Sequence, residues 1–334
     1  MGKTVQNNNR EAYYDLLRII ACVMVLYMHS PLQGVDSNLV SAVVTYATGP
    51  CNALFFMVSG ALLIKPHQLD FDKFISRRIK RILPPLLSWS VIYLLIKVSI
   101  GNLSPTEAFH ELCLFPFQAT GCGYFWFMYV LMGCYLLIPI VSSWISIASK
   151  RDILILLGLW FVCSFIPLIT TITPVTEEFN SWPYYFSGFF GYMLMGYFLK
   201  QFPLNLCKLF ITGLLGIVIL VITLHIHPDF FFSGKLYFYT QPYIILLSIM
   251  IFGLLRKYCN KNADSRILAK VAEATFGIYL THSIVMNYIL KDNLFGAGMQ
   301  SFVGMTLRVV ITFVVCFIFI QLINLTPLKK ILTV

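Results

Sequence analysis

Apolar runs long enough to cross a membrane recur along almost the whole 334-residue chain. A helix needs about 20 apolar residues to span roughly 30 Å of hydrocarbon, so each run predicts one membrane-spanning helix. Because 58% of the residues are hydrophobic and only 11% are charged, the composition excludes a water-soluble domain with a solvated surface. We predict ten spans, at approximately residues 14–34, 43–64, 82–100, 124–146, 153–172, 185–199, 209–226, 240–255, 271–290 and 302–325.

This pattern predicts an all-α fold class, a polytopic integral membrane protein in which residues 1–334 form a single transmembrane domain without an appended soluble domain. Its orientation follows from Lys and Arg, because short cytoplasmic loops retain positive charge. Nineteen of the 24 Lys and Arg residues fall on one side, whereas only Lys235 and Lys291 lie in the opposite loops. We therefore expect cytoplasmic termini and a multi-pass protein of the inner (plasma) membrane. Topology explains most of the net charge of +10, so no nucleic-acid partner is expected.

The cysteine spacing argues against a metal site, and the first apolar run argues against a signal peptide. The nine cysteines show no C-x-x-C pair and no His-linked metal spacing, so we predict no metal site. Cys113 and Cys122 share an outer loop, and a disulfide between them and two free thiols are equally compatible with the sequence. The first run carries Arg18 and His29 and lacks a small-residue cleavage pattern, which indicates a retained helix rather than a signal peptide.

Arg18 and His29 are ionisable residues inside the first predicted span, where each costs at least a few kcal/mol. Eleven helical steps of about 100° return to within roughly 20° of the starting direction and rise about 16 Å, so both side chains face the same way. A deep imidazole is the group best suited to move a proton at neutral pH. The alternative is that Arg18 snorkels to the headgroups and His29 hydrogen-bonds a neighbouring helix.

His282 and a basic segment extend this set of candidate site residues. His282 lies eleven residues beyond the start of the ninth span near Val271, at the predicted depth of His29. The two imidazoles share one cavity or lie on helices that never touch, and the spacing leaves both arrangements open. In the predicted cytoplasmic loop before Pro84 and Pro85, the basic run is Arg77-Arg78-Ile79-Lys80-Arg81. One interpretation is that this run fixes the membrane orientation by binding anionic headgroups. The other is that Arg78 and Arg81, three residues apart, bind one phosphate group together.

Several short motifs resemble the acyltransferase-3 family of integral membrane O-acyltransferases, in the order in which that family has them. The segments that carry the resemblance are Tyr14-Asp15-Leu16-Leu17-Arg18 followed by His29 (R-x10-H), Phe55-Phe56-Met57-Val58-Ser59-Gly60 (FF-x-x-SG), Arg78 with Arg81 (R-x-x-R), Phe125-Trp126-Phe127 with Tyr135 and Pro139, and Phe276-Gly277-Ile278-Tyr279-Leu280-Thr281-His282. They cover nearly the whole chain, and the chain resembles the compact branch that lacks an extracytoplasmic hydrolase-like domain.

The resemblance implies a cytosolic acyl-CoA donor, usually acetyl-CoA, and an acceptor hydroxyl presented from outside or from the outer leaflet. Arg18, Arg77, Arg78 and Arg81 are then candidates to bind the donor phosphates by charge-assisted bonds. His29 is the candidate general base, and Ser59, Asn52 and His282 are candidates to donate to the developing oxyanion. The expected partners are acyl-CoA, a carbohydrate or glycolipid acceptor and membrane lipids, and the acyl group is acetyl, succinyl or longer.

Two other classes of function fit the same residues. A transporter or flippase for a lipid-linked or secreted glycan would line a translocation path with intramembrane polar side chains, although we find no internal repeat between the two halves. A structural or sensory membrane subunit would tolerate Gln or Asn at position 29. Arg308 lies about six residues into the last span, and we expect it to snorkel outward or to pair with Glu177 or Glu178. Aromatic residues at the outer boundary predict an interfacial belt, of which an exposed subset could stack on sugar rings.

Overall fold

The computed structural model describes residues 11–30, 38–166, 188–226, 236–259, 266–290 and 302–333. These residues form helices and connecting turns, with no β-strand among them, which confirms the all-α prediction for this part of the chain. Two 3₁₀ helices (Gly123–Phe125 and Leu236–Thr240) and a π-helix (Val285–Ile289) accompany the α-helices. The α-helices are α1 (Ala12–Met28), α2 (Asn38–Thr48), α3 (Cys51–Leu63), α4 (Phe71–Ser99), α5 (Pro105–Cys113), α6 (Trp126–Ile145), α7 (Lys150–Cys163), α8 (Phe190–Gln201), α9 (Leu206–Ile226), α10 (Pro242–Tyr258), α11 (Arg266–Ile284), α12 (Phe302–Asn324) and α13 (Lys329–Leu332).

Each of the ten predicted apolar runs overlaps a helix. Among the described residues, five helical segments are long and apolar enough to cross a membrane: Val43–Leu63, Phe71–Ser99, Gly123–Ile145, Leu206–Ile226 and Phe302–Asn324. The other helices are shorter or more polar. Parts of the first, fifth and sixth predicted spans lie outside the described residues, so the number of ten spans and the cytoplasmic termini remain predictions.

The outer surface of the helix bundle is apolar, as the surface of a protein in lipid should be. Helix α9 buries only Leu209, Gly213, Gly216 and Thr223, and most of its other large side chains are exposed. Leu214, for example, is 62% exposed. In water such a surface would be a large exposed apolar patch, whereas in a bilayer it is the side of the helix that faces the lipid chains.

Helix α1 lies at the centre of the bundle and packs against α2, α3, α10, α11 and α12. Its buried residues follow a helical repeat along most of its length: Tyr13, Tyr14, Asp15, Leu17, Ala21, Cys22, Val25 and Leu26. Two of its contacts with α11, Cys22 Sγ to the Thr275 carbonyl and His29 to His282, share the same sequence offset of 253 residues. The two helices therefore run parallel and in register, which carries residues of α11 to the same levels as Arg18 and His29.

Helices α3 and α8 approach so closely that their backbones touch at two glycines. A Cβ atom added to Gly60 would overlap the backbone of Met193, and one added to Gly196 would overlap the backbone of Met57. Small residues permit this kind of close backbone contact between helices in a membrane. The contact fixes the position of Ser59, the immediate neighbour of Gly60.

The structure corrects the predicted boundaries of the first and third spans. The basic run from Arg77 to Arg81 belongs to α4, which starts at Phe71 and continues through Pro84 and Pro85 to Ser99, so it is not a loop. Asp70 caps this helix by accepting a hydrogen bond from the Lys73 backbone N–H (2.9 Å). The Arg, Lys and Ile residues of the basic run are compatible with a continuing helix. Helix α1 ends at Met28, and His29 is its C-cap residue instead of lying within a longer helix.

Cys113 and Cys122 are both free thiols, so the disulfide alternative is not the one found. Cys113 is exposed at the end of α5, whereas Cys122 is buried next to the 3₁₀ turn that leads into α6.

Candidate functional site

A cavity of about 220 Å³ lies between α1, α3, α4, α6 and α11. Its walls combine one cluster of polar side chains with a mainly apolar surface. The polar side chains are Arg18, Ser59, Arg78, Arg81, Tyr135, Glu273, Thr275 and Tyr279, and the apolar ones include Phe55, Leu62, Phe127, Leu131 and Phe276. A mostly apolar cavity with a few convergent charges is the usual form of a site for a small organic ligand.

Three of the lining side chains are arginines, and the helices hold them in distinct ways. Arg18 forms an ion pair with Asp15 one turn earlier in α1 (Nη1 to Oδ1, 3.5 Å), and the Asp15 side chain is fully buried. The guanidinium of Arg78 lies over the ring of Phe74 at 5.3 Å, an arrangement that orients it by a cation–π contact. Three guanidinium groups face two carboxylates, Glu273 on the wall and Asp15 paired with Arg18, so this part of the cavity keeps a net positive charge that favours an anion.

Arg78 presents a buried hydrogen-bond donor to the cavity. Its Nε atom is buried and has no hydrogen-bond partner among the residues that the structure describes. A buried donor without a partner is costly, so such an atom is expected to bind a group from solution. The hydroxyl of Tyr135 interacts with Ser59 and lies within electrostatic range of Arg18, Arg78 and Arg81. These groups together form a site with several hydrogen-bond donors for an anionic ligand.

His29 and His282 form a hydrogen-bonded pair near the end of the cavity that is remote from the arginines. Nδ1 of His29 lies 2.9 Å from Nε2 of His282, and Nδ1 of His282 lies 2.6 Å from the backbone oxygen of Tyr279. His282 is 1% exposed, whereas His29 is partly exposed. Of the two arrangements that the sequence left open, the structure therefore has the one in which the imidazoles meet.

The hydrogen-bond partners fix the tautomers of this pair. A carbonyl oxygen only accepts, so His282 must carry its proton on Nδ1, and in the neutral ring Nε2 is then an acceptor. The His29 Nδ1–H donates to that acceptor, because one of the two facing nitrogens has to be protonated. The second nitrogen of His29, Nε2, points away from His282 and has no hydrogen-bond donor among the described residues, so its lone pair is available. This is the protonation state of a general base.

Two tyrosines hold the histidine pair in place. The ring of Tyr124 stacks on His29 with centroids 3.8 Å apart and planes inclined by 19°. Tyr279 makes one hydrogen bond on each side of the pair. Its backbone oxygen accepts from His282, and its hydroxyl donates to the backbone oxygen of Tyr124, the residue that stacks on His29. The side chain of Tyr279 also lines the cavity. Tyr279 therefore lies between the cavity and the two imidazoles.

The predicted site residues divide into three groups. Arg18, Ser59, Arg78 and Arg81 line the cavity, and His29 and His282 form the pair behind Tyr279. Asn52 is buried in α3, seven residues from Ser59 and thus about two turns away on the same face, but it does not line the cavity.

Arg77 is not brought to the cavity. It is exposed, and its Nε donates to the backbone oxygen of Lys73 (3.1 Å) on the outside of α4. On the helix Arg81 points between the other two arginines, about 60° from Arg78 and about 40° from Arg77. The cavity lies on the Arg78 side of Arg81, which leaves Arg77 on the outer flank of α4.

The expectation that Arg308 snorkels outward is wrong. Arg308 is 9% exposed, and its Nη2 donates to the backbone oxygen of Met286 (2.8 Å) in the π-helix that follows His282. It also lies within electrostatic range of Tyr124. The carbonyl groups of an irregular turn provide a polar partner inside the bundle, which removes the need to reach the headgroups. Glu177 and Glu178, its other expected partners, lie outside the described residues.

Four residues of this site were not predicted as site residues: Tyr124, Tyr135, Tyr279 and Glu273. Tyr135 and Tyr279 belong to the segments that carry the family resemblance, and that was the signal available for them. Tyr124 reads as part of an aromatic belt, and Glu273 reads as a solvated charge near the end of a span. Among the described residues, no group of three His, Cys, Asp or Glu side chains could hold a metal ion.

Comparison with known proteins gives one family. The model of the acyltransferase-3 family, described as an acyltransferase domain, matches residues 11–323. No curated protein and no solved structure matches the chain.

Proposed function

From the premise that the chain belongs to the acyltransferase-3 family, we propose that it is a membrane O-acyltransferase that uses cytosolic acyl-CoA. It moves the acyl group, with acetyl as the first expectation, to a hydroxyl of a surface or extracytoplasmic glycan or glycolipid. The observation that carries this proposal is the cavity that runs from Arg18, Arg78 and Arg81 to Tyr279, behind which His29 has a free Nε2 lone pair.

The arginine end of the cavity fits the phosphates of coenzyme A. Arg78 and Arg81 supply planar groups that bind phosphate through several N–H donors, and the orphaned Nε of Arg78 is one such donor. The pantetheine arm extends about 15 to 20 Å by covalent geometry, which matches the roughly 16 Å rise from Arg18 to His29 along α1. The apolar walls formed by Phe55, Phe127 and Leu131 suit the methylene groups of this arm.

His29 then acts as the base in the transfer. Its Nε2 takes the proton of the acceptor hydroxyl while that oxygen forms a bond to the thioester carbon. The C–S bond breaks as the tetrahedral intermediate collapses, and the imidazolium returns the proton to the departing thiolate, which gives an ester and CoA. The face of Tyr124 stabilises the transient imidazolium, since an aromatic ring attracts a cation placed over it. Asn52, about two turns from Ser59 on the same face of α3, is the proposed oxyanion donor, because Ser59 lies with the arginines at the opposite end of the cavity.

Donor binding by the purified protein tests this function. We expect isothermal titration calorimetry to detect acetyl-CoA binding and the Arg78→Gln/Arg81→Gln variant to bind at least about tenfold more weakly, since each charge-assisted bond contributes roughly 1.5–3 kcal/mol. Arg77→Gln is the matched control, because Arg77 is a neighbouring arginine that does not line the cavity. It should bind acetyl-CoA within about twofold of the wild type.

Two outcomes would contradict the proposal. A wild-type protein that does not bind acetyl-CoA would favour the flippase alternative, which needs no acyl donor. Equal loss of binding in the Arg77 variant would mean that the basic segment attracts the donor only through its overall charge.

His282 should act as a positioning residue for His29. His282→Leu removes the acceptor that keeps the His29 proton on Nδ1, so the base becomes distributed between two tautomers and orientations. We expect a decrease in kcat of about 10- to 100-fold, smaller than the loss of the base itself, with an unchanged KM for the donor. His282→Gln still offers an amide oxygen to His29 and should recover part of kcat. Steady-state kinetics of the two variants would disprove the role if Leu and Gln behaved alike.

A further inference from the structure

Tyr279 closes the cavity before it reaches the histidine pair. Its side chain lines the cavity together with Phe127, whose ring centroid lies 5.6 Å from that of Tyr279. His29 and His282 do not line this cavity within the part of the chain that the structure describes. A thioester that enters from the arginine end therefore meets the Tyr279 ring before it meets His29.

Among the described residues, one hydrogen bond holds the hydroxyl of the Tyr279 side chain. The Tyr279 hydroxyl donates to the backbone oxygen of Tyr124, and the ring of Tyr124 stacks on His29. The backbone oxygen of Tyr279 accepts a hydrogen bond from His282. This oxygen belongs to the backbone of helix α11, so it does not move when the ring rotates. Rotation of the Tyr279 side chain would thus open a passage without releasing the backbone contact that fixes the tautomer of the histidine pair.

We propose that the Tyr279 side chain is a door between the donor cavity and the base, held shut by its hydrogen bond to Tyr124. This proposal rests on the acyltransferase function above. A base with a free lone pair activates water as readily as an acceptor hydroxyl, and attack by water on acetyl-CoA yields acetate and CoA. A closed door separates the thioester from His29 until the acceptor has occupied the outer side, where it meets Tyr124. The door therefore protects the donor from hydrolysis.

The test compares hydrolysis with transfer in two tyrosine variants. Tyr279→Phe keeps the ring and removes the tether, so we expect acceptor-independent release of CoA from acetyl-CoA to rise at least threefold, with unchanged acetyl-CoA binding. Tyr93→Phe is the matched control, because the Tyr93 hydroxyl also donates to a backbone oxygen, that of Leu280 in α11 (3.1 Å), but Tyr93 does not line the cavity. It should leave the hydrolysis rate at the wild-type level.

The readouts separate a failed door from a failed function. A Tyr279→Phe variant that binds acetyl-CoA like the wild type and hydrolyses it no faster overturns the door. An equal rise in Tyr93→Phe also overturns it, because the effect would then follow from loosening α11. Absence of both acetyl-CoA binding and transfer in the wild type would instead overturn the acyltransferase function on which the door depends. Acetyl-CoA binding also serves as the check that each variant is folded.

Discussion

Replacing His29 by alanine is expected to lower the rate of acyl transfer by about 10²- to 10⁴-fold, the usual contribution of a positioned general base. The loss should fall on kcat, because His29 does not line the part of the cavity that binds the donor. Acetyl-CoA affinity measured by calorimetry should therefore remain at the wild-type value. Transfer is measured as acetylation of an acceptor glycan by mass spectrometry, or as CoA release in the presence of acceptor.

His110→Ala is a suitable control for this experiment. His110 is an exposed imidazole in α5, remote in sequence and fold from the histidine pair, and its loss should leave transfer unchanged. Unaltered transfer in His29→Ala would contradict the proposed mechanism and leave His29 with a packing role against Tyr124 and His282. A comparable loss in His29→Gln would strengthen the mechanism, since Gln preserves size and hydrogen bonding but cannot take up a proton at neutral pH.

The direction of the key side chains along α1 was predictable, whereas their partners were not. Helical periodicity places Arg18 and His29 on one face, because eleven residues are close to three full turns. The same periodicity places Arg77 about 100° from Arg78 once the basic run is known to be helical, but only about 40° from Arg81, so periodicity alone does not exclude Arg77 from the cavity. Which helix meets that face is a tertiary property: the contact between His29 and His282 joins residues 253 positions apart. Equal predicted depth made the contact possible without selecting it from other pairings.

Arg308 shows why depth in the bilayer is an incomplete guide. Its distance from the end of the span suggests a side chain that reaches the headgroups, and the preference for snorkelling is strong in an isolated helix. In the folded protein the neighbouring turn after His282 is a π-helix, which gives Arg308 the oxygen of Met286 as a partner inside the bundle. Sequence periodicity does not signal a π-helix, because it depends on the packing of one inserted residue.

The close contact between α3 and α8 was equally hard to predict from the sequence. Glycine is frequent in membrane helices, so Gly60 and Gly196 do not stand out among the 20 glycines of the chain. In the structure each faces the backbone of the other helix, where an added methyl group has no flexible side chain to displace. Overpacking of a core usually costs about 1–3 kcal/mol and more where the backbone must move, so Gly196→Ala is expected to cost at least about 3 kcal/mol.

We expect Gly196→Ala to remove most of the monodisperse protein seen by size-exclusion chromatography in detergent, and Gly60→Ala to do the same while displacing Ser59. Gly133→Ala in α6 is the matched control, since its added Cβ meets no atom of the described chain within 4 Å. This control should be neutral or stabilising by up to about 1 kcal/mol, because alanine loses less backbone entropy than glycine in a helix. Normal yield and thermal stability of Gly196→Ala would mean that α3 and α8 do not touch through their backbones. The register of α3 that brings Ser59 to the arginine cavity would then have no structural support.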